Sequence, residues 1–311
     1  MSQMKAIVDK LLTGVASAPP TLNMICEQIL PVVKSKQYSG LLAKYGNSHL
    51  RIVNSQAGGR GKFRRVEPIT YSTQQFIIES HGLEGFVSKQ DYANKEDPFD
   101  AEKDETMGVV SMLHVEKEVL LAQTLQNTAI MTQNQTLSGT SQFSDYNNSD
   151  PLGVINAARK NTRTNSGMRP DTIIMDEEVA EILKFHPQLL DYLGYKDSRP
   201  GGLSYDEIAK AFNFKRLLIG QAQYNDSKEG QADNMVNVWG KDIVLAVAPT
   251  TAAPYQTSLG YMIRPEGSEP RKVYKQPNFN PPGSTSILVE DEYDMLISNA
   301  NAGFLIKAAI A

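Results

Sequence analysis

The sequence predicts an α+β fold, and three observations lead to this prediction. Residues 51–80 have the alternating pattern of β-strands around a glycine-rich turn, and the tail from Leu259 onward returns to that pattern. Residues 104–127 contain the longest candidate helix. Residues 150–250 alternate helices with short apolar strands, which is typical of a compact α/β domain.

Composition places the chain among ordinary globular proteins. Its 311 residues are 41% hydrophobic and 21% charged, which excludes extended disorder, collagen and coiled-coil fibres. Lysine and arginine number 31 and aspartate and glutamate number 35, so the formal net charge is −4. This balance gives no overall attraction to nucleic acid or to an anionic membrane. A single cysteine, Cys26, and four scattered histidines offer neither a disulfide nor a thiolate metal cluster.

The sequence contains no apolar run near the ~20 residues that a membrane-spanning helix needs. Asp9 and Lys10 interrupt the short amphipathic stretch at the start, so this stretch does not fit a signal peptide. We therefore expect a soluble protein that is made inside the cell.

The first fifty residues predict two short helices and no domain of their own. Residues 4–12 have helical spacing that ends before Gly14, and residues 22–33 have helical spacing that Pro31 interrupts. Two short apolar helices need a surface to pack on. We therefore expect this segment to be an arm.

Residues 51–80 predict a long β-hairpin, in which a strand at 51–53 leads into a glycine-rich turn at 57–61 and strands follow at 62–71 and 75–80. The segment 51–65 contains five basic side chains and no acid: Arg51, Arg60, Lys62, Arg64 and Arg65. Residues 89–107 contain three lysines and seven acids, so their balance is 3 − 7 = −4. Both charged stretches are also consistent with surfaces that only face water.

The candidate helix 104–127 is long enough, at about 36 Å, to form the backbone of a domain. Asp104 and Glu105 suit the positive end of its dipole. The apolar face is assigned to Val110, Leu113, Leu120, Leu121 and Leu125, and the polar face to Glu116, Lys117 and Glu118.

Capping signals set the helix starts in residues 150–250. Asp150 precedes Pro151, Asp176 opens a helix that ends at residue 185, and Ser204 forms a capping box with Glu207. Predicted strands lie at 172–175, 216–219, 236–239, 243–247, 260–264, 272–276 and 286–291, whereas 302–311 fits a strand or a helix.

Motifs for catalysis, cofactors and metals are missing from the sequence. The glycine-rich segment 58–63 does not form a phosphate loop. Such a loop needs a glycine five residues before Gly61, where this chain has Gln56, and a hydroxyl residue after the lysine, where it has Phe63. Residues 145–156 lack both the glycine and the glutamate of a calcium loop. No GxSxG or HExxH string occurs. We predict no catalytic, cofactor-binding or metal-binding residue and no enzyme, although distant residues can assemble a site.

Several strings in the middle of the chain resemble the major capsid proteins of tailed phages. They are Phe143-Ser144-Asp145, Ser149-Asp150-Pro151, and the segments RPDTIIM (169–175), FHPQLLD (185–191) and VWGKD (238–242). They span about a third of the chain and are specific only when taken together.

The resemblance implies the Hong Kong 97-type capsid fold. Its parts would be an N-terminal arm (1–48), an extended hairpin called the E-loop (49–88), a peripheral domain with a long spine helix (89–142 and 255–311), and an α/β axial domain (143–254). The implied function is that of a major capsid subunit, which self-assembles into the hexamers and pentamers of an icosahedral head around double-stranded DNA.

The resemblance also implies partners. These are further copies of the chain, a portal and a separate scaffolding protein, with a decoration protein as a further candidate. Contact with DNA is expected to be slight and non-specific, and neither a membrane nor a cofactor is expected. The protein would belong to the virion and would assemble in the cytoplasm of the host bacterium.

The charge pattern then predicts where subunits meet. We expect four basic residues of the hairpin to contact the acidic segment of a neighbouring subunit: Arg60, Lys62, Arg64 and Arg65 against Asp100 and Glu102. Two alternatives stay open for the chain as a whole. Encapsulin shell proteins share the implied fold, and a soluble α/β enzyme built on residues 150–250 is a reading from a different class.

Overall fold

A computed structural model gives the fold of residues 7–17, 24–45, 52, 56, 65, 71–93, 100–195, 201–228, 230–251, 257–267, 269–279 and 281–311. The helices are α1 (Lys10–Ala16), α2 (Cys26–Ile29), α3 (Lys89–Ala93), α4 (Ala101–Leu125), α5 (Pro151–Ser166), α6 (Glu177–Lys184), α7 (Pro187–Tyr192) and α8 (Tyr205–Ala211). The strands are β1 (Ile7–Val8), β2 (Val32–Ser35), β3 (Ser39–Tyr45), β4 (Tyr71–Ile77), β5 (Glu79–Val87), β6 (Asn134–Thr136), β7 (Thr172–Asp176), β8 (Arg216–Gly220), β9 (Gln223–Asn225), β10 (Met235–Asn237), β11 (Ile243–Ala246), β12 (Gly260–Pro265), β13 (Arg271–Phe279), β14 (Pro282–Ile297) and β15 (Gly303–Lys307). Short 3₁₀ turns occupy Gly139–Ser141 and Ala300–Ala302. The predicted α+β class is confirmed.

A six-stranded sheet is built around the 16-residue strand β14. The strand order is β1-β13-β14-β12-β2, and β5 also pairs with β14. Because side chains alternate between the faces of a sheet, Val273, Ile287 and Val289 share one face. There they pack against Leu12 of α1 and Leu113 of α4.

A five-stranded sheet, in the order β6-β15-β11-β7-β8, lies between two apolar cores. Ile173 and Met175 of β7 pack into a core with α5, α6 and α8, while Ile174 packs with Trp239 in the other core. A strand covered on both faces has no polar side, which explains the apolar run of β7. Of residues 302–311, for which the sequence allowed a strand or a helix, Gly303–Lys307 form the strand β15 and none is in an α-helix.

Helix α4 joins the two sheets. Val109 and Leu113 in its first half pack on the six-stranded sheet, and Leu121 and Leu125 in its second half enter the core that contains Trp239. The helix begins and ends slightly before the predicted bounds, and its 25 residues span about 37 Å.

The predicted caps between residues 150 and 250 are confirmed. Asp150 accepts a hydrogen bond from a backbone N–H in the first turn of α5, and Pro151 is the first helical residue. Asp176 caps α6, and Ser204 and Glu207 form both hydrogen bonds of a capping box at α8.

The predicted bounds of the two N-terminal helices are wrong. Helix α1 starts after Asp9, whose carboxylate accepts from the first turn, and it passes Gly14 without ending. Helix α2 covers only four residues, and the segment after Pro31 forms β2, which pairs in parallel with β12. Pairing with a distant strand overrides the helical spacing of residues 22–33.

The hairpin strands also differ from the prediction. Strand β4 pairs antiparallel with β3, whereas strands were predicted at 62–71 and 75–80. Residues 62–64 and 66–70 lie outside the described residues. Strand β5 pairs with β14. The boundaries of the four predicted domains stay predictions.

Candidate functional site

The predicted interface residues fall into two groups. Arg65, Asp100 and Glu102 are described by the structure, whereas Arg60, Lys62 and Arg64 lie outside the described residues. Arg65 is exposed. The Asp100 carboxylate is 3.4 Å from the Lys103 ammonium, one turn along α4. The assignment of these residues to an interface stays a prediction.

Glu102 has partners in its own chain. Its carboxylate accepts a hydrogen bond from the Tyr92 hydroxyl at 2.6 Å and forms an ion pair with Lys275. The Tyr92 hydroxyl also lies 3.0 Å from the hydroxyl of Thr285. These contacts tie the first turn of α4 to α3 and to the six-stranded sheet.

Strands β3 and β4 form a ribbon with one packed and one open face. Phe76 packs against Ile263, while on the opposite face Leu41 is 67% and Ile77 is 51% exposed. The backbone N–H of Ile77 donates to Asp294 at 3.0 Å, which fixes the ribbon to the end of β14. Large apolar side chains exposed side by side are typical of an interaction surface.

The face of the six-stranded sheet that points away from α4 is also open. Val8, Tyr274, Leu288 and Glu84 form one row across four strands, because residues paired across strands share a face. Phe86 lies in the next row, and Val8 and Phe86 are each 45% exposed. This face is a second candidate contact surface.

A buried charge network lies between α2, α4 and the six-stranded sheet. The Lys117 ammonium is 3.1 Å from Glu27 and 3.0 Å from Asp291. Arg264 is 2.7 Å from Asp291 and 3.5 Å from Glu27. The Lys117 ammonium also lies 4.5 Å from the ring centroid of Tyr293. Burial alone raises the pKa of Glu27, but Lys117 outweighs it and the pKa is lowered overall, so Glu27 is charged at neutral pH.

Glu118, the next residue of α4, connects three parts of the chain. Its carboxylate accepts from the backbone N–H groups of Ile25 and Cys26 at 3.2 and 2.8 Å, at the start of α2. It also accepts from the Trp239 indole N–H at 2.7 Å. Burial and the charge of Glu118 raise the pKa of the Cys26 thiol, which is therefore an unreactive neutral thiol.

A serine–histidine contact bears on the enzymatic alternative. Ser149 Oγ lies 2.9 Å from His186 Nε2. His186 Nδ1 accepts the backbone N–H of Gln188 at 3.3 Å, so the ring proton sits on Nε2 and donates to Ser149. Ser149 in turn donates to the backbone oxygen of Asp145 at 2.6 Å. A ring in this tautomer cannot accept the serine proton, so the pair positions the start of α7 and does not activate a nucleophile.

Within the described ranges, no group of three or more His, Cys, Asp or Glu residues could hold a metal ion. None of the helices in those ranges is long and apolar enough to cross a membrane.

One sequence relative covers most of the chain. The major capsid protein of Burkholderia phage BcepMu is 28% identical over 269 residues, which cover 84% of this chain and 85% of that protein. The chain is therefore similar, over most of its length, to a phage major capsid protein. No family model matches it.

Solved structures confirm the predicted capsid fold. A phage-related protein of Bordetella bronchiseptica superposes on this capsid protein with a TM-score of 0.76 at 22% identity, over 98% of both chains. The capsid structure of cyanophage P-SCSP1u gives a TM-score of 0.58 at 10% identity, over 94% of this chain and 90% of that chain.

The encapsulin alternative shares this fold. The SrpI encapsulin of Synechococcus elongatus superposes with a TM-score of 0.53 at 8% identity, over 98% of this chain and 96% of that chain. Likeness at such low identity shows the fold alone and does not separate a phage head from an encapsulin. The sequence relative favours the phage capsid protein.

Sequence reasoning missed the charge network of this capsid protein. Lys117 and Glu118 were assigned to the solvent face of α4, which is wrong because both are buried, whereas Leu120 is partly exposed. The spacing of residues along α4 could have indicated that Lys117 is buried. Val110, Lys117 and Leu121 follow one another at intervals of one or two turns, so they lie on one face.

Proposed function

We propose that this capsid protein assembles into the hexamers and pentamers of an icosahedral phage head that encloses double-stranded DNA. The observation that carries the proposal is the similarity to the BcepMu major capsid protein across 84% of the chain. The proposal makes the protein a structural, non-catalytic component of the virion that assembles in the cytoplasm of the host bacterium.

Two apolar surfaces support repeated contacts between copies. One is the ribbon face with Leu41 and Ile77, and the other is the open sheet face with Val8 and Phe86. Burying one such side chain fully is worth about 1.5–3 kcal/mol. Contacts of this size, repeated at every subunit boundary, would hold a shell together although each single pair is weak.

The proposed partners extend beyond further copies of the chain. A portal and a separate scaffolding protein belong to the proposal, with a decoration protein as a further candidate. The net charge of −4 supports only slight, non-specific contact with the packaged DNA. No membrane partner is proposed.

The charged stretches supply register at the proposed subunit boundary. The proposal keeps Arg60, Lys62, Arg64 and Arg65 opposite the acidic segment of a neighbouring copy. Asp100 pairs with Lys103 on the surface of its own helix, and such pairs contribute only about 0.2–0.5 kcal/mol. Glu102 is held by Tyr92 and Lys275, so the proposed contact uses Asp100 before Glu102.

Electron microscopy of the purified full-length protein tests the proposed function. Large closed shells with fivefold and sixfold capsomers are expected. Small shells that enclose a cargo protein would favour an encapsulin. Discrete small oligomers under all salt conditions would overturn the proposal and return the enzymatic alternative.

A further inference from the structure

The charge network beneath α4 has a third cation beside it. Lys117 and Arg264 share the carboxylates of Glu27 and Asp291, which gives two cations and two anions. Arg271 begins β13 and lies opposite Asp291 in the strand register, so both side chains face α4. Both Asp291 oxygens are already used, Oδ1 by Arg264 and Oδ2 by Lys117.

Arg271 is buried without acceptors for two of its donor atoms. Its side chain is only 5% exposed, and Nε and Nη1 have no hydrogen-bond partner in the part of the chain that the structure describes. A guanidinium stays protonated in proteins, so losing a proton cannot remove this charge. A buried donor without an acceptor is unfavourable, and more so when the donor belongs to a charged group.

None of the described groups around Arg271 accepts a hydrogen bond from its Nε or Nη1. His114 of α4 is buried, and burial followed by the charge of Arg271 lowers its pKa to about 4, so the imidazole is neutral at pH 7. His81 lies opposite Asp291 on β5 and stacks on Tyr293 with 4.3 Å between the ring centroids. The charge of Arg271 acts on Glu27, but the Glu27 carboxylate accepts from Lys117 and Arg264 and not from Nε or Nη1 of Arg271.

We propose that Arg271 binds a small inorganic anion beneath α4, held by its Nε–H and Nη1–H groups. Chloride and inorganic phosphate have the required chemistry, because each carries a negative charge and accepts hydrogen bonds from a guanidinium. The burial of Arg271 restricts the ligand to a small ion. A site formed only in the folded chain stabilises that chain when it is filled. The packing of α4 on the six-stranded sheet would therefore depend on the anion concentration.

Thermal unfolding of the purified full-length protein tests this site. At pH 7 and constant ionic strength, sodium gluconate is replaced stepwise by sodium chloride or sodium phosphate. Wild-type stability is expected to rise and then saturate. At ten times the half-saturating concentration, the folding equilibrium constant is expected to be about elevenfold above its anion-free value.

Two variants separate the site from general salt effects. Arg271→Met removes the charge and the donors, and it is expected to show no saturable gain. Lys272→Met is the matched control, because Lys272 is the next residue of β13, faces the other side of the sheet and pairs with Glu292 at 2.7 Å. Lys272→Met is expected to respond like the wild type.

Three results would overturn the anion site. One is an equal anion response in all three proteins. Another is an Arg271→Met variant that is more stable than the wild type in gluconate and chloride alike. That result would mean that the buried guanidinium only destabilises the chain and binds no anion. The third is an increase in stability that appears only in assembled shells and does not depend on the anion. That result would mean that a neighbouring copy supplies the hydrogen-bond acceptor for Arg271.

If the Arg271→Met variant does not fold, Arg271→Lys provides the same test. Lysine retains the charge but loses the planar donor groups, so the half-saturating concentration is expected to rise about tenfold. An unchanged half-saturating concentration would count against the site. Density within hydrogen-bonding distance of Nε and Nη1, in a microscopy map recorded in phosphate, is the expected direct observation.

Discussion

The two sheets of this capsid protein are stabilised in different ways. The five-stranded sheet is apolar on both faces of its central strands, and every residue of β7 and β11 is buried. The six-stranded sheet has a buried face that carries paired charges under α4 and an open face with exposed Val8 and Phe86. The first sheet completes its core within one chain, whereas the second leaves large apolar side chains exposed.

Breaking the charge network is expected to have the largest effect on the subunit. Lys117→Met leaves Asp291 buried with one cation fewer, so the free energy of unfolding should fall by about 3–5 kcal/mol. Lys103→Met is the control, because Lys103 pairs with Asp100 at the surface and should contribute about 0–1 kcal/mol. Chemical denaturation of unassembled subunits measures both. A similar decrease in the free energy of unfolding in the two variants would show that the buried ion pairs stabilise the subunit no more than a surface pair does.

The same leucine truncation in the two regions sharpens the comparison. Leu245→Ala removes a fully buried side chain from β11 and should lower the free energy of unfolding by about 2–5 kcal/mol. Leu41→Ala, on the open ribbon face, should change it by less than about 0.5 kcal/mol. Shell yield should nevertheless fall for Leu41→Ala, because that side chain is proposed to be buried between copies. Thr73→Ser, on the same ribbon face, is the control for local disturbance, and a full shell yield for Leu41→Ala would exclude this face from the interface.

Acid sensitivity separates the two regions through His114. Its pKa is lowered from 6.5 to about 4, so the folded chain binds fewer protons than the unfolded chain between these values. The contribution of His114 to the free energy of unfolding is therefore fully present above pH 6.5. As the pH falls toward 4, the free energy of unfolding decreases by roughly 3 kcal/mol. His114→Gln is expected to flatten this part of the stability curve, measured by denaturation at several pH values.

Asp176, in the five-stranded sheet, works in the opposite direction. Burial raises its pKa from 3.8 to about 6, so the folded chain binds more protons than the unfolded chain across that window. Its contribution to stability falls as the pH rises from 3.8 to 6. Asp176→Asn should therefore make the loss on acidification steeper, and an identical curve for both variants would contradict the two assignments.

The fold was predictable where its signals are local. Asp150 and Ser204 cap helices within three residues of themselves, so the sequence alone shows them. Helix α2 is different, because its first N–H groups are capped by Glu118, 92 and 93 residues away. The network around Lys117 was missed for a related reason. A charged residue in a helix is normally solvated, and its partners on other strands are not adjacent in sequence.

The smallest expected effect on the subunit comes from reversing the charge of the basic hairpin. Arg64→Glu together with Arg65→Glu should change subunit stability by less than about 0.5 kcal/mol, because Arg65 is exposed, yet shell yield should fall. Repeated weak pairs set docking register, and a reversed charge opposes it. Adding Asp100→Lys should restore shells, as measured by sedimentation. Adding Glu102→Lys should not, since it breaks the contact with Lys275 and destabilises the subunit itself. Unchanged assembly in the double reversal would disprove the pairing, whereas failed assembly without rescue would show that Asp100 is not its partner.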